Sequence, residues 1–484
     1  MRFSQAFGLN KRQSQLDFVD IDVSRDFPLY IDPATFLSRD DEFSIKCSTD
    51  IADFFEHIFE AIKQKKFRKG LKLLEGLREP NEVYLGVSKG KPNGRGVGKV
   101  QAQAIFQSLV NSKAASTGLL TDLSDCALFV PGIGPDKISD ITTNIIRRHL
   151  IEYTQNQCRL HGIDLDDEVP SGIFWDYEKG CWHTGEYVNL PLVDGNVVIL
   201  VPKRFVKWPG SMQSLSNKYY THFVSNFIRE EQLETNGALV QVAQTTKRRY
   251  VLKKDIEKTF PQTKGFLVDF SEENPKVFRQ FKESLGLTNP ISDKEFLAKY
   301  EEDYSPVDFG DVLIKRLGEI PAGRASANEY HRFIAGVLSY LFYPDLVCPE
   351  IEYSIHSSRK KIDIKYTNAA DKGFFRRAFL DSKIQARKIM IECKNYFKDI
   401  ENPEIDQMSG RFSTLRGQLG FLIFRSSDNM ETVLARCQDT ARDGRGFIIP
   451  ICDEDIICMI GYAQKVDGRK LDRFLQKRFN ELLK

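Results

Sequence analysis

The chain has 484 residues, more than one hydrophobic core usually serves, so two or three domains are expected. Hydrophobic residues make up 41% and charged residues 28%, with a formal net charge of +2, which is the balance of an ordinary globular protein and excludes a histone-like polycation. Any nucleic-acid binding must therefore come from local basic patches.

The nine cysteines are scattered, with no CxxC pair and no zinc-like spacing, and read as reduced thiols of a cytoplasmic protein. No signal peptide is expected behind Met1-Arg2-Phe3-Ser4-Gln5, and no stretch approaches the roughly 20 apolar residues of a bilayer span, so no membrane partner is expected.

Along the chain, 27–33 predicts a short strand ending in a turn, because each proline fixes its backbone and lacks a donor. Ile51, Phe54, Phe55, Ile58, Phe59 and Ile62 recur at helical spacing and predict a helix over 51–64. The glycine-rich loop 86–98 fails as a Walker A loop: Asn93 stands where a glycine is needed, and Val100 follows Lys99 in place of Ser or Thr. It remains a flexible basic loop touching nucleic acid or a ligand, or a plain surface loop. Helices are expected over 101–110 and 138–155. Ahead of the second, Val130-Pro131-Gly132-Ile133-Gly134-Pro135 resembles the hairpin of a helix-hairpin-helix motif, with Ser139 where the motif usually has Ala. Gly132 and Gly134 would let backbone N–H groups approach a DNA phosphate; the alternative is a Pro-Gly turn leading into a helix. Asp136 and Asp140, one turn apart, suit the helix dipole, with a metal or polar ligand as the alternative. His161 and His183 read as structural. The clearest strand of this half is 196–202, and 219–300 reads as charged helices.

A boundary is expected near 304–306, dividing a mixed α/β recognition or regulatory region (1–305, with a possible split near 205–220) from a C-terminal domain (306–484). The latter predicts a helix over 328–342 and strands at 350–355, 361–366 and 388–394. A helix at 404–415, a strand at 421–425, a helix at 431–442, a strand at 446–451 and a helix at 471–483 follow. This is an α/β pattern with the order αβββαβ and extra elements after it.

Strand alternation sets Met390, Glu392 and Lys394 on one face of the 388–394 strand, and a neighbouring strand carries Asp363. Two adjacent carboxylates repel unless a positive charge joins them, and Mg²⁺ prefers carboxylate and water oxygens. A metal beside a lysine polarises a phosphate and activates water, which is equipment for phosphodiester hydrolysis.

Asp363 followed by Glu392-Cys393-Lys394 resembles the D…(D/E)xK signature of the PD-(D/E)xK, restriction-endonuclease-like nucleases, over roughly 310–484, although Ile362 stands where Pro often precedes the Asp. The resemblance implies that Asp363 and Glu392 hold Mg²⁺, with Mn²⁺ as a substitute, and that Lys394 activates water. It also implies that Glu329 on the first helix assists at the metal, and that Gln407, as in the Mrr-like branch, supports the site. Arg359, Lys360, Lys361, Arg376, Arg377, Arg387, Lys388, Arg411, Arg416 and Arg425 concentrate in the same region and read together as a nucleic-acid groove, though any one pair also reads as a solvated face. Residues 367–387 are expected to form a lobe over the cleft, with Phe374-Phe375 either stacking on bases or packing on the core.

The expected activity is a Mg²⁺-dependent DNA endonuclease, with RNA as an alternative substrate. By analogy it would act in bacterial restriction or anti-phage defence, as a homodimer or higher homo-oligomer because double-strand cutting needs two sites. The alternatives are an inactivated nucleic-acid-binding module with this fold and a protein-interaction module.

Overall fold

The structure, a computed structural model, describes residues 1–37, 39–86, 99–112, 120, 123–285, 290–293, 295–296, 305–355, 360–396, 400–426, 430–465 and 467–484. The glycine-rich loop at 87–98, most of the expected boundary (297–304) and Arg359 lie outside the described residues.

In the N-terminal region, helix α1 (Glu42–Lys63) starts well upstream of the expected 51 because Asp41 caps it, accepting the Ser44 N–H at 3.0 Å. Ile51, Phe54, Phe55 and Ile58 form its buried stripe. Helix α2 (Leu123–Phe129) precedes the Pro-Gly turn. The helix expected over 138–155 is two helices, α3 (Pro135–Ile145) and α4 (Arg147–His161), parted at Ile146. Helix α4 ends on Gly162, whose φ of +70° is the left-handed conformation that favours glycine.

The strand expected over 196–202 is a correction. Only Asn196–Val197 pairs as a strand, with Leu192–Val193. The residues after it are buried but give their N–H groups to unrelated partners: Ile199 to Glu82 O and Leu200 to the Thr154 hydroxyl. The expected charged region holds helices at Ser225–Thr235, Lys253–Thr259, Lys264–Glu273 and Pro275–Leu285. These elements close on one hydrophobic core that runs from Phe3 to Phe296 and also takes in Val347 and Cys348.

The C-terminal part is an α/β unit around a second core. Helix α5 (Pro306–Glu319), capped by Ser305, leads to α6 (Ala327–Phe342). Then come β1 (Leu346–Ile355), β2 (Lys360–Asn368), α7 (Gly373–Leu380), β3 (Lys388–Lys394), α8 (Asn402–Ser409) and β4 (Leu419–Phe424). Helix α9 (Met430–Arg442), β5 (Phe447–Cys452), α10 (Asp453–Gln464) and α11 (Gly468–Leu482) follow. The strands form one sheet in the order β1-β2-β3-β4-β5. The first two pairings are antiparallel, and β3, β4 and β5 run parallel. Every residue of β4 is buried, as a parallel strand covered on both faces requires.

The insertion 367–387 does not cover the cleft. It joins the end of β2 to the start of β3, and Thr367 pairs with Lys388 there. Asp363 lies four residues back from Thr367 along β2, about 13 Å away at the usual rise per residue. The insertion's helix α7 turns its aromatics inward instead: Phe374 and Phe375 are buried, and Phe374 packs edge-on to Phe479 of α11.

Several contacts join the two cores, most of them buried. Asp17 accepts the Tyr153 hydroxyl at 2.7 Å and the Cys348 N–H at 3.1 Å, so β1 hangs on the N-terminal region at its start. Gln157 of α4 donates to Pro349 O, and Lys388 reaches Glu42 of α1 at 3.0 Å.

Candidate active site

The β2–β3 ladder runs from Thr367↔Lys388 to Ile364↔Ile391. One step further the carboxylate of Asp363 replaces the backbone as acceptor: its Oδ2 takes the Cys393 N–H at 2.9 Å. Its Oδ1 takes no hydrogen bond among the described residues. Burial, and then the charge of Asp363, push the Cys393 thiol well above its ordinary range, so this cysteine is inert.

Glu392 is 1% exposed, because β3 is an inner strand with both faces covered. Its charge is matched locally. Lys394, two residues along the same face, donates from Nζ to Oε1 at 2.7 Å. Arg411, just beyond α8, sets its guanidinium against Oε2 as an ion pair, without the alignment of a hydrogen bond. Burial lowers the Arg411 pKa, and the charge of Asp363 works against that, so Arg411 feels Asp363 as well as the Glu392 carboxylate it pairs with. Gln407 on α8 brings its side-chain carbonyl to 3.5 Å from Lys394 Nζ. Asp363, Glu392, Lys394 and Gln407 are thus brought together at one end of the β2–β3 pair.

The carboxylates suit a hard cation, since Mg²⁺ is commonly held by one or two of them with water completing its shell. Among the described residues Asp363 Oδ1 accepts no hydrogen bond, whereas Glu392 Oε2 faces the Arg411 guanidinium, so a cation bridging the two carboxylates would have to displace Arg411 from that oxygen. Among the described residues no group of three or more His, Cys, Asp or Glu is placed to hold a metal. Glu329 does not join the other two acids: it is half-exposed near the start of α6 and forms an ion pair with Arg316 of α5.

The expected basic groove is not assembled from the residues singled out for it. Arg411 is a buried partner of Glu392, not a surface phosphate contact. Arg376 lies over Phe379 and within 3.9 Å of Asp40, and Arg377 binds Asp472 and Gln476 of α11, all beside the remote insertion. Arg416 holds Arg411 O, and Arg425 holds Ile320 O and pairs with Asp453. Lys360 and Lys361 open β2, where only their backbone is described.

One supporting residue left no motif. Asn395, next after Lys394, donates to Pro321 O and Gly323 O at 3.0 Å each and accepts the Gly323 N–H. It ties the loop before α6 to the end of β3.

At the N-terminal turn, α2 and α3 do flank Gly132 and Gly134, with Gly132 at φ +76° and Pro135 opening α3. The turn's carbonyls are taken by lysines: Lys137 reaches Gly132 O, and Lys264 reaches Val130 O and Ile133 O. Ser139 is an anchor, accepting the Ile31 N–H at 3.0 Å. The surroundings are acidic. Burial first, then Asp136, Glu79 and Asp26, push the Asp140 carboxyl up to about 8, and this field disfavours an approaching phosphate.

A family model described as a domain of unknown function (DUF8370) matches residues 8–213, upstream of this site. No curated protein and no solved structure matches the chain.

Proposed function

We propose that this chain is a Mg²⁺-dependent nuclease that hydrolyses DNA phosphodiester bonds as an endonuclease. The observation that carries the reading is the meeting of Asp363, Glu392, Lys394 and Gln407 from β2, β3 and α8 at one strand end. Burying Glu392 requires the two cations beside it, and a core with no such function would be served as well by apolar residues.

Asp363 and Glu392 are the residues that would hold the metal, Mg²⁺ or Mn²⁺. Bound there, the cation supplies polarisation of the phosphate and a lowered pKa for a coordinated water. Lys394, fixed by Glu392, keeps a positive charge beside the attacked phosphate and orients the attacking water. Gln407, exposed on α8, steadies Lys394 and offers its amide to a phosphate oxygen. Arg411 neutralises Glu392. Glu329 acts at most from a distance, since its charge is spent on Arg316.

By analogy with architectures that fuse a sensing region to such a nuclease, the setting is bacterial restriction or anti-phage defence, with a homo-oligomer supplying the second active site. No helix among the described residues is long and apolar enough to cross a membrane.

Plasmid cleavage with Mg²⁺ by the full chain tests the reading, against Asp363→Ala and Lys394→Ala checked for native folding. Wild type should nick or linearise the plasmid, with both variants down at least about a thousandfold. Equal cutting by all three would remove the catalytic assignment. No cutting of DNA or RNA by wild type with Mg²⁺ or Mn²⁺ would favour a nucleic-acid-binding module instead.

A further inference from the structure

A cavity of about 760 Å³ opens where the N-terminal region meets α5 and α6, in the size range of small-molecule sites. Its walls come from the segment Phe7–Arg12, from His161 at the end of α4, and from the facing sides of the two helices. On the α5 side the charges are already matched: Lys315 and Arg316 pair with Glu319, and Arg316 pairs with Glu329.

The opposite wall is different. Lys11 donates from Nζ to Arg332 O at 3.1 Å and lies 3.3 Å from His161 Nδ1. Among the described residues, neither Lys11 nor Arg332 has a carboxylate within ion-pair distance. His161 is 9% exposed, and its Nε2 is buried without a hydrogen-bond partner, as is Arg332 Nε. Arg332 lies so close to Gly162 that a Cβ there would meet the guanidinium at 2.4 Å, so the glycine ending α4 makes room for this cation. Burial and mutual repulsion press on the group from both sides: Lys11 is pulled down to about 8 by burial and then by Arg332, and His161 is lowered by burial, Lys11 and Arg332. Three like-charged or chargeable groups gathered without a counter-ion cost stability, and an anion relieves that cost.

We propose that this cavity binds a nucleotide-sized phosphate ester, its phosphate held by Lys11, His161 and Arg332. The wall also carries Phe7 and Phe333, apolar rings that suit the base of such a ligand, while the Phe309 ring lies under Arg12. The ligand bridges the two cores, because Lys11 belongs to the N-terminal segment and Arg332 to α6. It also touches the walls that run into the Pro321–Gly323 loop held by Asn395, beside Lys394. A consequence for cleavage rests on the nuclease reading; the binding does not.

Calorimetric titration of the full chain with ADP, inorganic pyrophosphate and adenosine tests the site without any cleavage assay. ADP should bind, pyrophosphate should bind more weakly, and adenosine should give no heat. Lys11→Met and Arg332→Gln should each weaken ADP at least tenfold, while Lys11→Met, which removes a repelling charge, should not lower the melting temperature. Val312→Glu guards against misfolding as an explanation: Val312 is 59% exposed at the cavity wall, so a carboxylate there should weaken ADP at least tenfold in a normally folded chain. No heat from ADP or pyrophosphate at millimolar concentration, or unchanged affinity in Val312→Glu and Lys11→Met, would overturn the proposal. Displacement of ADP by a 5′-phosphorylated oligonucleotide, but not by its unphosphorylated form, would overturn the small ligand in favour of a nucleic-acid end.

Discussion

Glu392 and Arg411 form an ion pair inside the C-terminal sheet, both at most 3% exposed, with Lys394 on the other oxygen of the same carboxylate. Glu392 is the hub of this arrangement: without it two cations face one another, and without Arg411 one of its buried oxygens loses its partner.

Arg411→Met should therefore lower unfolding stability by about 3 kcal/mol, and Glu392→Gln by a comparable amount. The double variant should lose less than the sum, because no buried charge is left alone. Urea unfolding of the four proteins measures the coupling. Strict additivity would mean that the two residues do not compensate one another. On the nuclease reading, millimolar Mg²⁺ should also restore part of the stability lost in Arg411→Met, since a cation replaces a cation.

The site makes unequal demands on its acids. Glu392→Gln should abolish plasmid cleavage, whereas Glu329→Gln, whose acid is half-exposed and paired with Arg316, should keep activity within about tenfold of wild type. Gln407→Ala should fall between them, because the Lys394 contact at 3.5 Å is long. If Glu329→Gln were as inactive as Glu392→Gln, the first-helix glutamate would have to be restored to the metal site.

Asp140 makes stability depend on pH. Its folded carboxyl is raised to about 8, so between the ordinary aspartate range near 4 and pH 8 the folded chain holds a proton that the unfolded chain has released. Stability from this group is present at low pH and falls as pH rises through that window. Asp140→Asn should raise the melting temperature at pH 8 and change it little at pH 4. An equal shift at both pH values would show that the gain is unrelated to ionisation.

What could be read along the chain was what depends on neighbours in sequence. The bounds of β3 follow from alternation, and the adjacency of Glu392 and Lys394 follows from a period of two. The order of elements from α6 to β5, the helix α7 apart, follows from apolar spacing and turn residues. Where prediction slipped, a local device was overlooked or the partners were scattered: the Asp41 cap lengthened α1, and the 196–202 strand dissolved because its N–H groups found separate acceptors.

Only the tertiary structure decided which charges meet. Arg411 looks in sequence like any surface arginine, and it becomes the partner of Glu392 because the end of α8 returns to the sheet beside β3. Arg376 and Arg377 look like neighbours of the site and sit at the far end, because an antiparallel pair places its connection opposite its open end. His161 looks structural, and it lines a cationic cavity because α4 ends against α6. Periodicity is a property of one element and is written in it. The pairing of charges is a property of two elements, and it is set only when the chain has chosen which of them lie side by side.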